Sequence, residues 1–461
     1  MGLKDDLKDL VGELNRIHSG AFSWSEEFAF PDFVTAENGK QRHFTSKARF
    51  ALRRVSETLH TNRPSESVKI EIASYENVIR QVVADLHARD EFADFYEKGE
   101  KAVIGKLKAL AEERLPRTEQ EYTHYFPAWT VGMEKNAPLK LGPVTFLNRI
   151  DWIDLVDFSS NAKVHFLGSA EANFRWKDLL KDALKHPLGD TQLDGLASPI
   201  YGAICNCPAL LSVTIRGYEK GFSRKLAKLV CKTALDSISL ALGAPEFFHQ
   251  QALYEERLPP IGSESLMESN GYLWLPGISL GKRIPHLSMH HVDQALVDIA
   301  PILPALASIL DGLVTPAGHP YPKLANRWAT ALDWFGEGNR ESNDPIAVAK
   351  LGTCLDVLAC GGKNEGISQM VINLTGTSGD TLVVQGDKPL TLRQLVKEIY
   401  EDGRSKILHG THFDRLKSFE RERQQAAFLA RIALIECARR LLHYSGNDSD
   451  IAFRTMAPVP N

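Results

Sequence analysis

The sequence predicts an α+β protein, in which an N-terminal helical region and a mixed α/β region are followed by a C-terminal bundle of four or five helices. Apolar residues in the first ~115 positions repeat at helical spacing, and strand or turn signals are few there. Segments rich in β-branched and aromatic residues then follow. From Pro322 onward the helical period returns and persists. The expected segments are 1–117 (helical), 118–320 (mixed α/β, sensor or regulatory), 321–445 (helical bundle) and 446–461 (loose tail).

Length and composition limit the class of protein. A chain of 461 residues exceeds one ordinary domain, and 43% hydrophobic with 24% charged residues is typical of a globular protein. The net charge of −4 argues against binding polyanions through bulk charge. Residues 391–445 differ, because 11 Lys and Arg face 7 Asp and Glu there. This modestly basic region permits contact with phosphates without demonstrating it.

Cysteine spacing and the N-terminus indicate the cellular compartment. The six cysteines are irregularly spaced and form no C-x-x-C pair, so neither a disulfide framework nor a zinc ribbon is expected. "MGLKDDLKDL" has acids where a signal peptide needs an apolar core, and Asp6 replaces the Ser or Thr of a myristoylation signal. The most apolar stretch, Ala295–Val314, contains two Asp and two Pro, which predicts buried helices rather than a membrane span. We therefore expect a cytoplasmic protein without a membrane partner.

Four segments of the middle region predict strands. They are "EYTHYFPAWTVGM" (121–133), "LKLGPVTFL" (139–147), "LLSVTIRGY" (210–218) and "GYLWLPGISLG" (271–281). A helix is expected over Lys225–Leu242, where Gly243 ends it.

Capping signals mark the helices of the C-terminal bundle. Asp344 followed by Pro345 predicts an N-cap and a first helical position. Thr391 and Gln394 have the spacing of a capping box, which predicts the start of a fourth helix. A final helix is expected over roughly 421–443. The bundle would thus be compact and about 125 residues long.

The fourth predicted helix ends in "RSKILHG", residues 404–410. A helix end alone can explain it, because Gly410 suits a C-cap and cations near the C-terminus suit the helix dipole. With 27 Arg and 15 His in the chain, about one Arg-x4-His match is expected by chance. On an ideal helix Arg404 and His409 point about 140° apart and lie about 7.5 Å apart along the axis. They could line a groove, which two facing copies of the helix would furnish from both sides.

The stretch "EIYEDGRSKILHG" (398–410) resembles the signature of HEPN domains, and within them most closely the Apea-like HEPN family. That pattern has Tyr, then Arg-Ser-Lys, two aliphatic residues and His-Gly, and residues Tyr400 and 404–410 fit it. Asp402-Gly403 is looser than the usual residues. The resemblance extends to "LANRWATALDWFGEGNR" and "LGTCLDVLACGG", where Asp356 takes the position of a common acidic residue, usually Glu. It covers about residues 322–445, and only "LGPVTF" and "SVTIRGY" are loosely similar before that.

The resemblance implies a metal-independent endoribonuclease that works as a homodimer through the HEPN bundle, often in antiviral defence or abortive infection. Arg404 and His409 would be catalytic, Lys406 and His412 would contact RNA phosphates, and Tyr400 and Asp356 would support them. The chemistry agrees: histidine titrates near neutral pH, and the arginine fork matches phosphate oxygens. No cofactor and no metal are expected. The region before the bundle would sense a phage-derived or cellular trigger.

Two alternatives remain open. HEPN-like bundles that lack catalysis act as binding or dimerisation modules for RNA, nucleotides or a protein, and an unrelated helical fold is also compatible with the sequence. Elsewhere, "HLSMHH" spaces His286 and His290 four apart beside His291, which is compatible with metal ligation, but no partner carboxylate or cysteine is suitably spaced. Polar or half-buried histidines are the favoured interpretation. Cys205 and Cys207 are interpreted as ordinary core or loop cysteines.

Overall fold

The computed structural model is α+β, as the sequence predicted, and it divides into two compact units. One unit comprises Met1–Tyr122 with Thr214–Leu226, and the other comprises Thr123–Val213 with Ala227–Asn461. The four segments expected from the sequence are a finer division and stay a prediction. The structure describes residues 2–20, 32–64, 67–93, 100–116, 120–135, 138–186, 193–256, 267–274, 287–386, 388–412, 414 and 416–458.

Helices dominate the described part of the first unit. They are α1 (Leu3–His18), α2 (Ser46–Thr61), α3 (Ile72–Ala88) and α4 (Glu100–Glu113). Their apolar faces share one core, in which Leu14, Leu52, Ile79 and Leu107 are fully buried. Burial of these faces rather than helix propensity supplies most of the stability of such helices.

An antiparallel hairpin between α1 and α2 was not predicted. Strands β1 (Asp32–Thr35) and β2 (Gln41–Phe44) pair in register from Asp32 opposite Phe44 to Thr35 opposite Gln41. The chain reverses at Asn38-Gly39, where Gly39 has φ +80°. Asn-Gly is a strong hairpin signal, so the sequence did contain the indication that the helical periodicity obscured.

A five-stranded sheet in the order β4-β5-β6-β3-β7 lies in the middle of the chain. Its strands are β3 (Glu121–Trp129), β4 (Leu139–Leu141), β5 (Val144–Asn148), β6 (Ala209–Arg216) and β7 (Ala252–Leu253). The pairs β4/β5, β5/β6 and β3/β7 are antiparallel. The predicted strands in 121–133 and 210–218 are thereby confirmed. The segment 139–147, predicted as one strand paired with 121–133, is instead a hairpin of β4 and β5 that turns at Gly142 (φ +56°), and β6 lies between it and β3. Of the fourth predicted segment, the structure describes β9 (Tyr272–Trp274), which pairs with β8 (Met267–Ser269), and residues 275–281 lie outside the described residues.

Short helices connect β5 to β6, and a long helix follows β6. The connecting helices are α5 (Arg149–Leu155), α6 (Ser160–His165), α7 (Ala170–Phe174), α8 (Trp176–Lys185) and α9 (Ala197–Ile204). Helix α10 (Lys220–Leu242) is one turn longer than predicted and ends before Gly243, which has φ +93°. The short α11 (Phe247–Gln250) comes before β7.

The apolar stretch Ala295–Val314 forms parts of two helices, α12 (Met289–Ile299) and α13 (Leu303–Val314), which are bent by 80° to each other. Among the described residues, no helix by itself has the length and apolar character needed to cross a bilayer.

The C-terminal helices follow the predicted order. They are α14 (Pro322–Arg340), α15 (Asp344–Leu358), α16 (Lys363–Thr375), α17 (Leu392–Lys397), α18 (Lys406–Leu408) and α19 (Glu420–Leu442), with the hairpin strands β10 (Leu382–Val384) and β11 (Leu390–Thr391) before α17. The predicted capping box is confirmed, because Thr391 and Gln394 bond each other's backbone. The predicted N-cap of α15 was wrong by one residue. Asn343 caps that helix by accepting from Ile346 N–H, and Asp344 is its first residue.

The tail that was predicted to be loose instead packs on the bundle. Helix α14 has no cap of its own, and Asp448 accepts from the first backbone N–H groups of that helix, at Lys323 (2.9 Å) and Leu324 (3.0 Å). Phe453 and Met456 are buried. The prediction failed because the tail is polar and irregular, and only the folded bundle supplies the unpaired backbone groups it satisfies.

Candidate active site at the Arg404–His409 motif

The helix that carries the motif is not a continuous α-helix. After α17 the chain forms a π-helix over Glu398–Ser405 and returns to α geometry only for the short α18. Arg404 therefore lies in the π-helical segment and His409 lies just beyond α18. The angle expected for an ideal α-helix does not apply here, because a π-helix turns less per residue. π-Helical turns are rare and occur frequently at functional sites.

Two glycines permit the π-helix to approach α15 closely. A Cβ atom at Gly403 would lie 2.6 Å from Val348 Cγ1, and one at Gly352 would lie 2.9 Å from Arg404 Cβ. Neither distance is tolerable for a real side chain, so this approach requires glycine on both helices. The sequence analysis judged Asp402-Gly403 a loose fit to the motif, whereas the structure gives Gly403 a specific packing role.

Arg404 is held by two side chains that sequence analysis singled out as supporting residues. Its Nη2 lies 3.1 Å from Asp356 Oδ2, and its Nη1 donates to the Tyr400 hydroxyl at 3.3 Å. The guanidinium carbon also lies 5.2 Å from the centre of the Tyr400 ring, in cation–π range. These contacts bring Tyr400, Asp356 and Arg404 together as predicted. The arginine side chain is 24% exposed, so it keeps access to solvent.

The Asp356–Arg404 pair leaves hydrogen-bonding capacity unused. Asp356 Oδ1 and Arg404 Nε are both buried and have no hydrogen-bond partner among the described residues. Burial raises the pKa of Asp356, while the charges of Arg404 and Arg454 oppose that rise. Unpaired buried polar atoms carry a free-energy cost, and in native proteins each one calls for an explanation. A ligand that completes the guanidinium fork would supply one.

His409 occupies the end of α18 and is exposed. Its imidazole makes no hydrogen bond or ion pair with any part of the chain that the structure describes. Gly410, with φ +65°, ends the helix in a Schellman motif, because Gly410 N–H donates to Ile407 and Thr411 N–H to Lys406. The C-cap interpretation of Gly410 is thus confirmed. A histidine near a helix C-terminus also suits the helix dipole, and its exposed imidazole stays accessible to a ligand.

The predicted phosphate contacts Lys406 and His412 line a different cleft. Its volume is about 340 Å³, and neither Arg404 nor His409 lines it. Lys406 Nζ donates to Asp402 Oδ1 at 2.6 Å, and this bond raises the pKa of Lys406. The His412 ring packs edge-on against Phe419 at 4.9 Å. These two residues therefore share a cleft with each other, and their contact with an RNA phosphate stays a prediction.

Arg454 is a residue near the site that sequence analysis missed. Its guanidinium donates to the carbonyls of Ala359 (2.6 Å), Cys360 (3.1 Å) and Gly361 (2.9 Å), which end helix α15. Arg454 also lies close enough to Asp356 to influence its pKa. No local motif marked this arginine, because it lies in the segment that was predicted to be loose.

The histidine and cysteine clusters are weaker candidates for a functional site than the Arg404–His409 motif. His286 lies outside the described residues, while His290 and His291 are exposed with ring centroids 6.0 Å apart. Cys207 is buried and Cys205 half-buried. Within the described ranges, no group of three His, Cys, Asp or Glu side chains is arranged to hold a metal ion.

No family model, curated protein or solved structure matches the chain. The similarity to HEPN domains therefore rests on the motif residues alone, and the family assignment stays a prediction.

Proposed function

We propose that the chain is a metal-independent HEPN endoribonuclease of the cytoplasm, in which Arg404 stabilises the reacting phosphate and His409 transfers the proton. The observation that carries the proposal is the π-helical segment that holds Arg404 against Asp356 and Tyr400, with the unpaired imidazole of His409 five residues further on. A geometry this specific is more than a helix end requires.

The reaction uses the ribose 2′-hydroxyl as nucleophile. His409 removes the 2′-OH proton while the new O2′–P bond forms, and the P–O5′ bond breaks as the 5′-oxygen receives a proton. The products are a 2′,3′-cyclic phosphate and a 5′-hydroxyl end. The Arg404 guanidinium neutralises charge on the non-bridging oxygens of the phosphorane, where a forked cation is more effective than a point charge.

A second copy of the chain supplies the other proton-transfer group. One imidazole cannot hold both the base and the acid position at once, and His409 lies on a surface where the neighbouring Leu408 is 59% exposed. Pairing of two bundles through this surface would cover Leu408 and place both histidines at one groove. Light scattering in the presence of RNA is expected to give a dimer, and a strict monomer that still cleaves RNA would refute the shared groove.

The biological role follows by analogy with the family that the motif resembles. An unrestrained ribonuclease harms its own cell, so we propose a role in antiviral defence or abortive infection. The region before the bundle would respond to a phage-derived or cellular trigger.

Sequencing of RNA ends after expression tests the activity. The parent protein, His409→Ala and Arg404→Ala are compared. His409→Ala is expected to reduce cleavage about 10²- to 10⁴-fold, the order that one proton-transfer group contributes. Arg404→Ala is expected to reduce it about 10²- to 10³-fold, the order that one donor to the transition-state charge contributes. His290→Ala, which also removes an exposed imidazole, is the matched control and should cleave normally. Cleavage should persist in a chelator. Identical ends from parent and His409→Ala would refute the proposal.

A non-catalytic binding module is the second candidate, and one observation favours it. Arg404 is engaged by Asp356 in the structure, so it would have to share or leave that carboxylate to contact a phosphate. RNA binding without any His409-dependent cleavage would identify this alternative.

A further inference from the structure

A second cleft, of about 760 Å³, lies in the C-terminal bundle between α16, α17 and residues 454–455. Ten of its eleven lining residues carry polar or charged groups, although their carbon atoms form most of the exposed lining: three cations, four amides, two hydroxyl groups and one carboxylate, with one aliphatic residue. The cations are Arg393, Lys397 and Arg454, and the amides are Asn364, Gln369, Asn373 and Gln394. Ser368 and Thr455 carry the hydroxyl groups, Glu365 the carboxylate, and Ile372 is the aliphatic residue. The volume lies within the range of small-ligand sites and suits one or two nucleotides.

The cations of this cleft are weakly neutralised. Arg393 lies 3.8 Å from Asp380, and Lys397 lies 3.8 Å from Glu401, with both cations 61% exposed. Such long, exposed pairs contribute little energy and exchange easily for another anion. Arg454 donates to three backbone carbonyls, which leave its charge in place. The cleft therefore presents positive charge to whatever enters it.

The polar lining specifies the kind of anion. Amide groups donate and accept together, so they can bond the edges of bases and ribose hydroxyls as well as phosphate oxygens. Asn373 and Gln394 are partly engaged by Met456 and Thr391, which leaves Asn364 and Gln369 as the more available amides. None of the described lining residues is aromatic, so stacking of a base on a protein ring is not expected to contribute. A nucleic-acid backbone with its polar edges fits this chemistry better than a planar aromatic ligand does.

The cleft is connected to the Arg404 site in two ways. Lys397 is the last residue of α17, directly before the π-helix that carries Tyr400 and Arg404. Asp356 lies within electrostatic reach of both Arg404 and Arg454. Lys397 and Arg404 are seven residues apart on a continuous helical segment, a rise on the order of 10 Å, so one strand is long enough to contact both.

We propose that this cleft is a separate binding site for the single-stranded RNA substrate, in which Arg393 and Lys397 hold phosphates that flank the scissile one at Arg404 and His409. The inference rests on the proposed function, since it assigns the strand's second contact surface to an RNA-cleaving protein. It also explains why the modest positive charge of residues 391–445 is useful despite the net negative charge of the chain.

Fluorescence anisotropy with a labelled single-stranded RNA of about 12 nucleotides tests the proposal, with all proteins carrying His409→Ala so that the RNA stays intact. The double variant Arg393→Ala/Lys397→Ala is expected to bind about tenfold more weakly, and the slope of log affinity against log salt should fall by about 1.4 for two lost phosphate contacts. Because both side chains are largely exposed, the variant should fold normally.

Arg175→Ala is the matched control for Arg393→Ala. Arg175 is 60% exposed and lies 3.8 Å from Glu171, so the two substitutions remove equal charge from equally loose pairs. Arg175→Ala should leave RNA affinity and salt dependence unchanged. Equal losses of RNA affinity from Arg393→Ala and Arg175→Ala would show a nonspecific charge effect and overturn the proposal. Unchanged RNA binding by the double variant would overturn it as well.

Competition with adenosine monophosphate and with inorganic phosphate distinguishes the source of the ligand. Loss of mononucleotide binding in the double variant, with RNA binding intact, would assign the cleft to a free nucleotide and overturn the RNA site. The two proposals also fail separately. If Arg393→Ala/Lys397→Ala leaves RNA affinity and the KM of His409-dependent cleavage unchanged, only the cleft proposal is refuted. If RNA binding depends on the cleft but no cleavage occurs, only the nuclease proposal is refuted.

Discussion

Two arginine–aspartate pairs in the second unit have opposite characters. Asp236 is fully buried, and both of its oxygens contact Arg340, whose Nε also donates to the Phe248 carbonyl at 2.9 Å. Asp356 contacts Arg404 through one oxygen, while its other oxygen and Arg404 Nε have no hydrogen-bond partner among the described residues. In the Asp236–Arg340 pair, both carboxylate oxygens and all three guanidinium nitrogens are engaged, which leaves little capacity to bind a ligand. The second pair keeps hydrogen-bonding groups that a ligand could engage.

Removal of the arginine from the saturated pair should have the largest effect. Arg340→Ala leaves the Asp236 carboxylate buried without its partner, which is expected to cost about 3–5 kcal/mol of unfolding free energy. Arg404→Ala should cost about 1 kcal/mol, because that pair is part-exposed and singly bonded. Urea unfolding of both variants measures the difference. Equal losses of unfolding free energy in Arg340→Ala and Arg404→Ala would contradict the proposed difference between the two pairs.

A third arginine extends the comparison, because its partner is neutral. In the first unit, Arg42 Nε donates to His87 Nδ1 at 2.8 Å, which requires an unprotonated ring nitrogen. Burial and, to a smaller extent, the charge of Arg42 together lower the pKa of His87 to about 4. Acid should therefore weaken this contact.

The sign of the pH effect follows from the lowered pKa. As pH falls below about 6.5, the unfolded chain binds a proton at His87 before the folded chain does, so stability present above that pH is lost toward pH 4. Between pH 6.5 and 5 the loss should reach about 2 kcal/mol. Burial also lowers the pKa of the neighbouring His18 to about 4, so His87→Gln should remove only part of this dependence in urea titrations at several pH values. If the unfolding free energy of His87→Gln depends on pH as steeply as that of the parent, His87 does not titrate as described.

Glycine substitution probes why the Arg404 pair lies on a π-helix. Gly403→Ala places a Cβ 2.6 Å from Val348 Cγ1, and the resulting overpacking is expected to cost about 1–3 kcal/mol and to reduce RNA cleavage by displacing Arg404. Gly105→Ala is the control, because its Cβ meets nothing within 4 Å in helix α4. That variant should gain about 0.5–1 kcal/mol from helix propensity. If Gly403→Ala is equally benign, the close approach is unimportant.

The contrast between the pairs also marks the limit of sequence reasoning. Local signals located the strands, the Thr391–Gln394 capping box and the Gly410 C-cap, because each depends on residues a few positions apart. The π-helix could not be predicted in this way, since apolar spacing up to Ile399 is equally suitable for an α-helix. The π-helix occurs where Arg404 packs closely against Gly352 of α15, a contact between residues far apart in the sequence.

The same reason explains the other failures. Asp448 and Arg454 bind backbone groups that exist only once α14 and α15 have ended where they do. Motif matching did identify Arg404, Tyr400 and Asp356 as one group, because the motif fixed their positions on two helices. Its grouping of Lys406 and His412 with them as RNA contacts stays a prediction, because these two residues line a cleft that Arg404 and His409 do not line.

The smallest expected effect comes from removing the charge of Asp356 without changing its shape. Asp356→Asn should change the unfolding free energy by less than about 1 kcal/mol, because the lost ion pair is offset by relief of the burial cost that raises the Asp356 pKa. RNA cleavage should fall about three- to tenfold in kcat with little change in KM, since Arg404 would still bind phosphate but be less firmly oriented. Asp356→Glu should restore most of the rate. A loss confined to KM, or a variant faster than the parent, would show that Asp356 restrains Arg404 instead of positioning it.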